Sequence, residues 1–127
     1  MIRRASWDLR FVYLVFVMAL LVLGCTTQMK ITVDRGDAQQ NLQPKPVGQE
    51  IKVIEADDAL PQNALFIAKL KVTDTGVTVD CGYDNVLAQA LDKARELGGD
   101  LVQIMQVYEP DLWSSCFRLE VDVYVLQ

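Results

Sequence analysis

The sequence predicts a small α+β domain in which one helix covers one face of a mainly antiparallel sheet, in the order β-β-(β)-α-β-β. Two stretches, 64–72 and 117–125, alternate apolar and polar side chains, as strands with one buried face do. Between them, residues 86–97 repeat apolar side chains at the spacing of an amphipathic helix. A sheet and a helix that each carry one apolar face can bury both by packing against each other.

The strands before the helix are bounded by turn-forming residues. Residues 51–54 are expected to form a short first strand and residues 64–72 a second one. The Asp-Thr-Gly sequence at 74–76 then turns the chain. The two valines within 77–79 indicate a brief additional strand, which is the bracketed β of the predicted order.

The helix has a start signal and a stop signal. Asp84 is predicted as its N-cap, because a side-chain oxygen there can accept a hydrogen bond from a free backbone N–H. Gly98 and Gly99 are predicted to end it, since one of them can take the left-handed conformation at no Cβ cost. The face expected to be buried comprises Val86, Leu87, Ala90, Leu91, Ala94 and Leu97.

Two longer strands are predicted after the helix. Residues 101–108 are apolar on both faces, which is typical of an interior strand. Residues 117–125 alternate more regularly and are predicted to bury one face only. The segment 110–115 joins them as a hairpin loop.

The N-terminus carries the pattern of a bacterial lipoprotein leader. Arg3 and Arg4 precede an almost uninterrupted apolar run over 11–23, and a small residue stands just before Cys25. The run is shorter than the roughly 20 residues a transmembrane helix needs, but it suits the apolar region of a signal peptide. We therefore expect residues 1–24 to be cleaved and Cys25 to be acylated. A signal anchor, or a secretory signal with an incidental cysteine, is the alternative.

Residues 25–50 are predicted to form a flexible tether, because they are polar and contain the Gln-Pro-Lys-Pro sequence at 43–46. Such a tether would extend to about 85 Å and average about 25–30 Å as a coil. Within it, residues 29–33 alternate like a strand and could add to a sheet edge. The folded domain is then 51–127.

If Cys25 is acylated, Cys81 and Cys116 are the two cysteines that remain. An even pair in an oxidising exported compartment predicts a disulfide, which would stabilise so small a domain by about 3–4 kcal/mol. Cys116 has the parity of the polar face, and the sequence leaves open whether the bridge lies at the sheet rim or opposite the helix. The alternative is a redox-active or metal-binding pair, but Cys-x-x-Cys spacing and a third ligand are both missing.

Composition argues against several function classes. Beyond the leader, 9 basic residues stand against 16 acidic ones, and the cations are scattered, so no nucleic-acid partner is expected. The chain has no histidine, the usual acid–base group and metal ligand, so we expect no enzyme, metal or cofactor. Asp57, Asp58, Asp80 and Asp84 could pair for acid–base chemistry, but turns and helix starts are where aspartate is expected anyway.

Five features stand together in this chain. They are the lipobox Val-Leu-Gly-Cys at 22–25, the proline-containing tether, the cysteine before the helix, Gly-Asp-Leu-Val at 99–102 and Ser-Cys-Phe-Arg at 115–118. Together they resemble the RcsF family of outer-membrane lipoproteins, the sensors of an envelope-stress phosphorelay. By position, the resemblance implies acylation at Cys25 and a bridge between Cys81 and Cys116. The family's second disulfide has no counterpart, because Val107 and Asp122 stand near the corresponding positions.

The resemblance implies a periplasm-facing outer-membrane lipoprotein that binds an envelope or membrane protein and signals. Thr26 agrees with this location in a Gram-negative host, because retention in the inner membrane is associated with aspartate at that position. Candidate partner contacts are Leu112 and Trp113 in the hairpin loop and Tyr83 beside Cys81, although Trp113 could instead cover the edge of the core. The alternative function is a structural or accessory lipoprotein of an envelope assembly with no signalling role.

Overall fold

The computed structural model describes four segments of the chain, residues 9–21, 29–37, 41–76 and 80–127. Helix α1, Leu9–Leu21, lies within the predicted leader. Within these four segments no helix has both the length and the apolar character to cross a membrane. Cys25 and the strand predicted at 77–79 lie outside the described residues.

The rest of the described chain forms one sheet and a second helix. The elements in order are β1 (Lys30–Arg35), β2 (Lys52–Glu55), β3 (Ala64–Thr73), α2 (Tyr83–Glu96), β4 (Leu101–Tyr108) and β5 (Arg118–Leu126). The sheet order is β1-β3-β5-β4-β2, and every neighbouring pair is antiparallel except β2 and β4. Helix α2 packs against β3 and β5. The α+β class and the mainly antiparallel sheet are therefore confirmed.

The centre of the fold is a β3-α2-β4 unit with β5 inserted between its two strands. Strands β3 and β4 are both antiparallel to β5, so they run parallel to each other and the helix connects them across one face. Strand β4 lies between β5 and β2, which confirms that it is an interior strand. The longest-range pairing in the sheet, Ala64 with Leu126, joins β3 to β5, the last strand.

The main core lies between α2 and the sheet face that it covers. Ala90 and Ala94 are small and fully buried, which lets the helix approach the strands closely. The predicted helix face is confirmed, with Leu87 and Leu91 partly buried at its margins. The fully buried sheet residues of this core include Leu70, Val72, Leu119, Val121 and Val123.

The two ends of α2 are capped differently from each other. Its N-cap is Gly82, with extended backbone and no side-chain capping hydrogen bond, so the prediction of Asp84 as N-cap is wrong. Asp84 lies in the first turn, where its negative charge still favours the exposed N–H groups. At the other end Gly98 has φ 86°, and the N–H groups of Gly98 and Gly99 bond the carbonyls of Arg95 and Ala94 at 3.0 and 2.9 Å. This is the glycine stop that the sequence predicted.

The segment predicted as a tether differs from a free coil in the structure. Strand β1 pairs with β3 at the sheet edge, as the alternation at 29–33 indicated, and Met29 is only 5% exposed. Residues 41–50, here called the strap, pass over the C-terminal end of α2. In the strap, the Lys45 N–H donates to the Arg95 carbonyl at 2.9 Å, and Arg95 Nε donates to the Gln49 carbonyl at 2.8 Å. With β1 and the strap, the folded part of the chain begins well before residue 51, where the sequence predicted the domain to start.

The face opposite α2 carries charged pairs across neighbouring strands. Lys69 pairs with Asp122 and Lys71 with Glu120, each at 2.8 Å between β3 and β5. These residues alternate with the buried ones, so they share the solvent side of the sheet. Hydrogen bonding to Asp122 and Glu120 raises the pKa of both lysines. The polar parity predicted for the last strand is thereby confirmed.

One polar residue on that face is buried and satisfied. Gln103 is 5% exposed, and its Nε2 donates to the carbonyls of Glu55 and Ala56, each at 3.1 Å. Its Oε1 accepts from the Tyr124 hydroxyl at 3.4 Å. The side-chain amide therefore joins the end of β2 and the loop after it to the centre of the sheet.

Replacing Gln103 by alanine is expected to lower the free energy of unfolding by about 2 kcal/mol, because two carbonyls and a buried hydroxyl lose their partner. Chemical denaturation measures this change. Gln106→Ala is the matched control, since Gln106 is an exposed glutamine of the same strand and its loss should cost no more than about 0.5 kcal/mol. Equal costs for the two variants would contradict the assigned role of Gln103.

Candidate functional site

Cys81 and Cys116 form a disulfide that joins the segment just before α2 to the segment just before β5. Their Cα atoms are 5.0 Å apart, and the two residues are 9% and 0% exposed. Both belong to the core cluster that contains the buried face of α2. The bridge therefore lies on the helix side of the sheet, which settles the placement that the parity of Cys116 left open. The Phe117 N–H also donates to the Cys81 carbonyl at 3.2 Å.

Beside this bridge, the loop from β4 to β5 contains a tightly held turn over residues 111–114, here called the 111–114 turn. Asp111 Oδ1 accepts the N–H groups of Trp113 and Ser114 at 2.8 and 2.9 Å, and the Asp111 N–H donates to the Ser114 carbonyl at 2.8 Å. Arg118 Nη2 donates to Asp111 Oδ2 at 2.7 Å from the start of β5. An aspartate that bonds backbone two residues ahead is a known turn former. The sequence at 111–114 contains this signal, so the turn is a feature that local sequence can predict.

The turn presents two large apolar side chains to solvent. Leu112 is 101% exposed and Trp113 is 94% exposed. Trp113 therefore does not cover the edge of the core, which was the alternative interpretation of this residue. The backbone of this turn is already held by hydrogen bonds, so binding through these side chains costs little further backbone entropy.

Tyr83, the third predicted contact, is placed differently. Its ring lies edge-on against Phe117 with centroids 5.9 Å apart, and it packs against the main core. Burial raises the pKa of the Tyr83 phenol. Of the three predicted contacts, Leu112 and Trp113 are exposed, whereas Tyr83 is partly buried against the core.

Asp111 is the group that organises this site electrostatically. The Trp113 N–H, the Arg118 guanidinium and the Ser114 N–H all hold the pKa of its carboxyl below the ordinary value. Because the pKa is lowered in the folded state, the carboxylate stabilises the turn above the ordinary pKa of aspartate. That contribution is lost as the pH falls through the lowered, folded-state pKa.

We expect the amide resonances of Trp113 and Ser114 to shift together in an NMR titration as Asp111 takes up its proton in acid. Asp111→Asn is the control variant, because its side-chain oxygen can still accept both N–H groups but has no charge to titrate. Asp111→Ala should release the turn at every pH. A midpoint at or above the ordinary value for aspartate would contradict the role assigned to Asp111.

The four aspartates considered for acid–base chemistry are all exposed. Asp58 accepts the Glu55 N–H at 2.8 Å in a local turn, and Asp80 accepts a hydrogen bond from the Asn85 side chain. Among the residues that the structure describes, no group of three or more acidic, cysteine or histidine side chains could hold a metal ion.

Comparisons with known proteins identify no relative from which a function could be inferred. The chain matches no family model, and neither a curated protein nor a solved structure matches it. The resemblance to the RcsF family therefore rests on the sequence features given above.

Proposed function

We propose that the protein is an outer-membrane-anchored, periplasm-facing lipoprotein that acts as a binding and signalling module. In this proposal the lipid on Cys25 holds the domain at the membrane, and Leu112 and Trp113 form its contact surface. The observation that carries the proposal is the nearly complete exposure of these two side chains on a hydrogen-bonded turn. A module of this kind binds and reports, and it requires no catalytic group.

The anchor is supported by the leader pattern. The side chains from Val12 to Met18 in α1 are exposed and apolar, as expected of a segment that leaves the fold when the leader is cleaved. Each methylene group of an acyl chain contributes about 0.8 kcal/mol to membrane attachment, so a cysteine with two or three chains would be held stably. A disulfide in so small a domain is typical of proteins of an oxidising compartment such as the periplasm.

A deletion strain carrying an envelope-stress reporter tests the proposal. Loss of induction in the deletion, restored by the wild-type gene but not by Cys25→Ser, is the expected result. Mass spectrometry of the mature wild-type protein should find cleavage before Cys25 and an acylated cysteine. An unmodified Cys25 or an uncleaved leader would contradict the proposal.

The same strain separates signalling from a structural role. Leu112→Ser with Trp113→Ser should weaken induction, and Val47→Ser serves as a control because Val47 is equally exposed but lies in the strap. A normal reporter response together with a defective envelope assembly would instead favour an accessory structural lipoprotein.

A further inference from the structure

The 111–114 turn lies at the end of the sheet where the chain enters β1. Lys30, the first residue of β1, pairs with Thr73, the last residue of β3, and Thr73 Oγ1 donates to the Lys30 carbonyl at 3.3 Å. The next residue, Asp74, accepts a hydrogen bond from Ser114 Oγ at 3.0 Å through its Oδ2. Two hydrogen bonds and one peptide step therefore connect the start of the folded chain to the turn.

The acylation site is close to this same end. Only residues 26–28 separate Cys25 from Met29, whose side chain is buried in the main core. Four residue steps span at most about 14 Å even when fully extended. A lipid on Cys25 would therefore hold this end of the domain against the membrane surface, in contrast to the long reach expected of a 25-residue tether.

The exposed pair has the chemistry of the membrane interface. Tryptophan concentrates at the level of lipid headgroups because its ring is apolar while its N–H remains hydrogen-bonded there. Leucine favours the acyl region just below. The backbone N–H groups of Trp113 and Ser114 already donate to Asp111. These two donors therefore stay hydrogen-bonded when the turn moves out of bulk water.

Charge at this end favours neutral headgroups. Glu109, Asp80 and Asp84 are exposed carboxylates near the turn in sequence or at the start of α2, and they outnumber the exposed Lys30 at the start of β1. The charge of Arg118 is matched by Asp111. An anionic surface would repel the excess carboxylates, but a zwitterionic one would not.

We propose that Leu112 and Trp113 insert into the zwitterionic phospholipid interface of the membrane that holds the acylated Cys25. This inference rests on the proposed lipid anchor and names what the contact surface touches. Anchor and turn then act as two attachments on one face, and the second binds at high effective concentration because the first is already in place. The domain is thereby oriented with the strap and the C-terminal end of α2 directed away from the bilayer.

Tryptophan fluorescence tests this directly, because the chain has two tryptophans and Trp7 is removed with the leader, leaving Trp113 alone. The probe is the full mature lipoprotein in phosphatidylcholine vesicles with and without brominated acyl chains. We expect a blue-shifted emission compared with an unacylated Cys25→Ser protein produced without residues 1–24, in buffer, and strong quenching by the bromolipid. Leu112→Ser should reduce both effects, and Val47→Ser should leave them unchanged.

The outcomes separate the inference from the function on which it rests. Acylated protein that stays on the vesicles while Trp113 emits as in water, unquenched by bromolipid, would overturn docking and leave the anchor standing. An unmodified Cys25 would overturn both. A photo-reactive amino acid placed at Leu112 in native membranes should give a lipid adduct, and a protein adduct there would overturn the bilayer as the occupant.

Discussion

Replacing both Cys81 and Cys116 by alanine is expected to lower the free energy of unfolding by about 3–4 kcal/mol, on the chain-entropy estimate for a closed loop of this length. The bridge spans 35 residues, and the loop that it closes contains the whole of α2. Without the bridge, the unfolded chain gains freedom and the end of the domain beside the 111–114 turn loses its covalent tie. Denaturant unfolding in a Cys25→Ser background measures the effect without interference from the third cysteine.

Two checks accompany this measurement. Reducing agent added to the protein that retains Cys81 and Cys116 should shift the unfolding midpoint in the same direction as the double substitution. Thiol labelling under denaturing conditions should find two groups only after reduction. Midpoints that coincide with and without the bridge would show that it contributes nothing to stability.

Gly98→Ala is expected to destabilise the domain by about 2–4 kcal/mol, combining the penalty of left-handed backbone with that of a steric clash. Gly98 has φ 86°, and a Cβ there would lie 2.8 Å from the Gln43 carbonyl oxygen and 2.9 Å from the Leu42 Cβ. Both contacts belong to the strap, so the substitution pushes the strap from the end of α2. Thermal or chemical unfolding gives the magnitude.

Gly48→Ala is the matched control for this substitution. Gly48 also lies in the strap with positive φ, 88°, but a Cβ there would meet no atom within 4 Å. It should cost about 1 kcal/mol, the backbone penalty alone. If the two alanine variants were equally stable, close packing of the strap on Gly98 would be disproved.

The elements predicted correctly are those whose own side chains specify them. Alternation in β3 and β5 and the 3.6-residue repeat of α2 are local signals, and each follows from which face is buried. The glycine stop at Gly98 is local as well, because it depends on one backbone conformation. Together these signals were enough to predict the α+β class.

The segments whose structure differs from the sequence prediction depend on partners that are distant in the chain. The strap is polar and proline-containing, and its order comes from Arg95 and Asp100, about 50 residues further on. The N-cap of α2 also differs from the predicted one. An aspartate near a helix start fits the capping pattern in sequence whether or not its side chain accepts a backbone N–H of the first turn. At the site, exposure of Trp113 was open to two interpretations until the bonds of Asp111 fixed the direction of the turn.

The position of β1 at the rim of the sheet bears on how copies of the protein behave when they crowd together on a surface. An unpaired strand edge is a template for another chain, and confinement to two dimensions increases the number of such encounters. Strand β1 has only six residues and carries Lys30, Asp34 and Arg35, and β2 at the opposite rim has four, including Lys52 and Glu55. Short, charged rims of this kind disfavour strand-to-strand aggregation between copies.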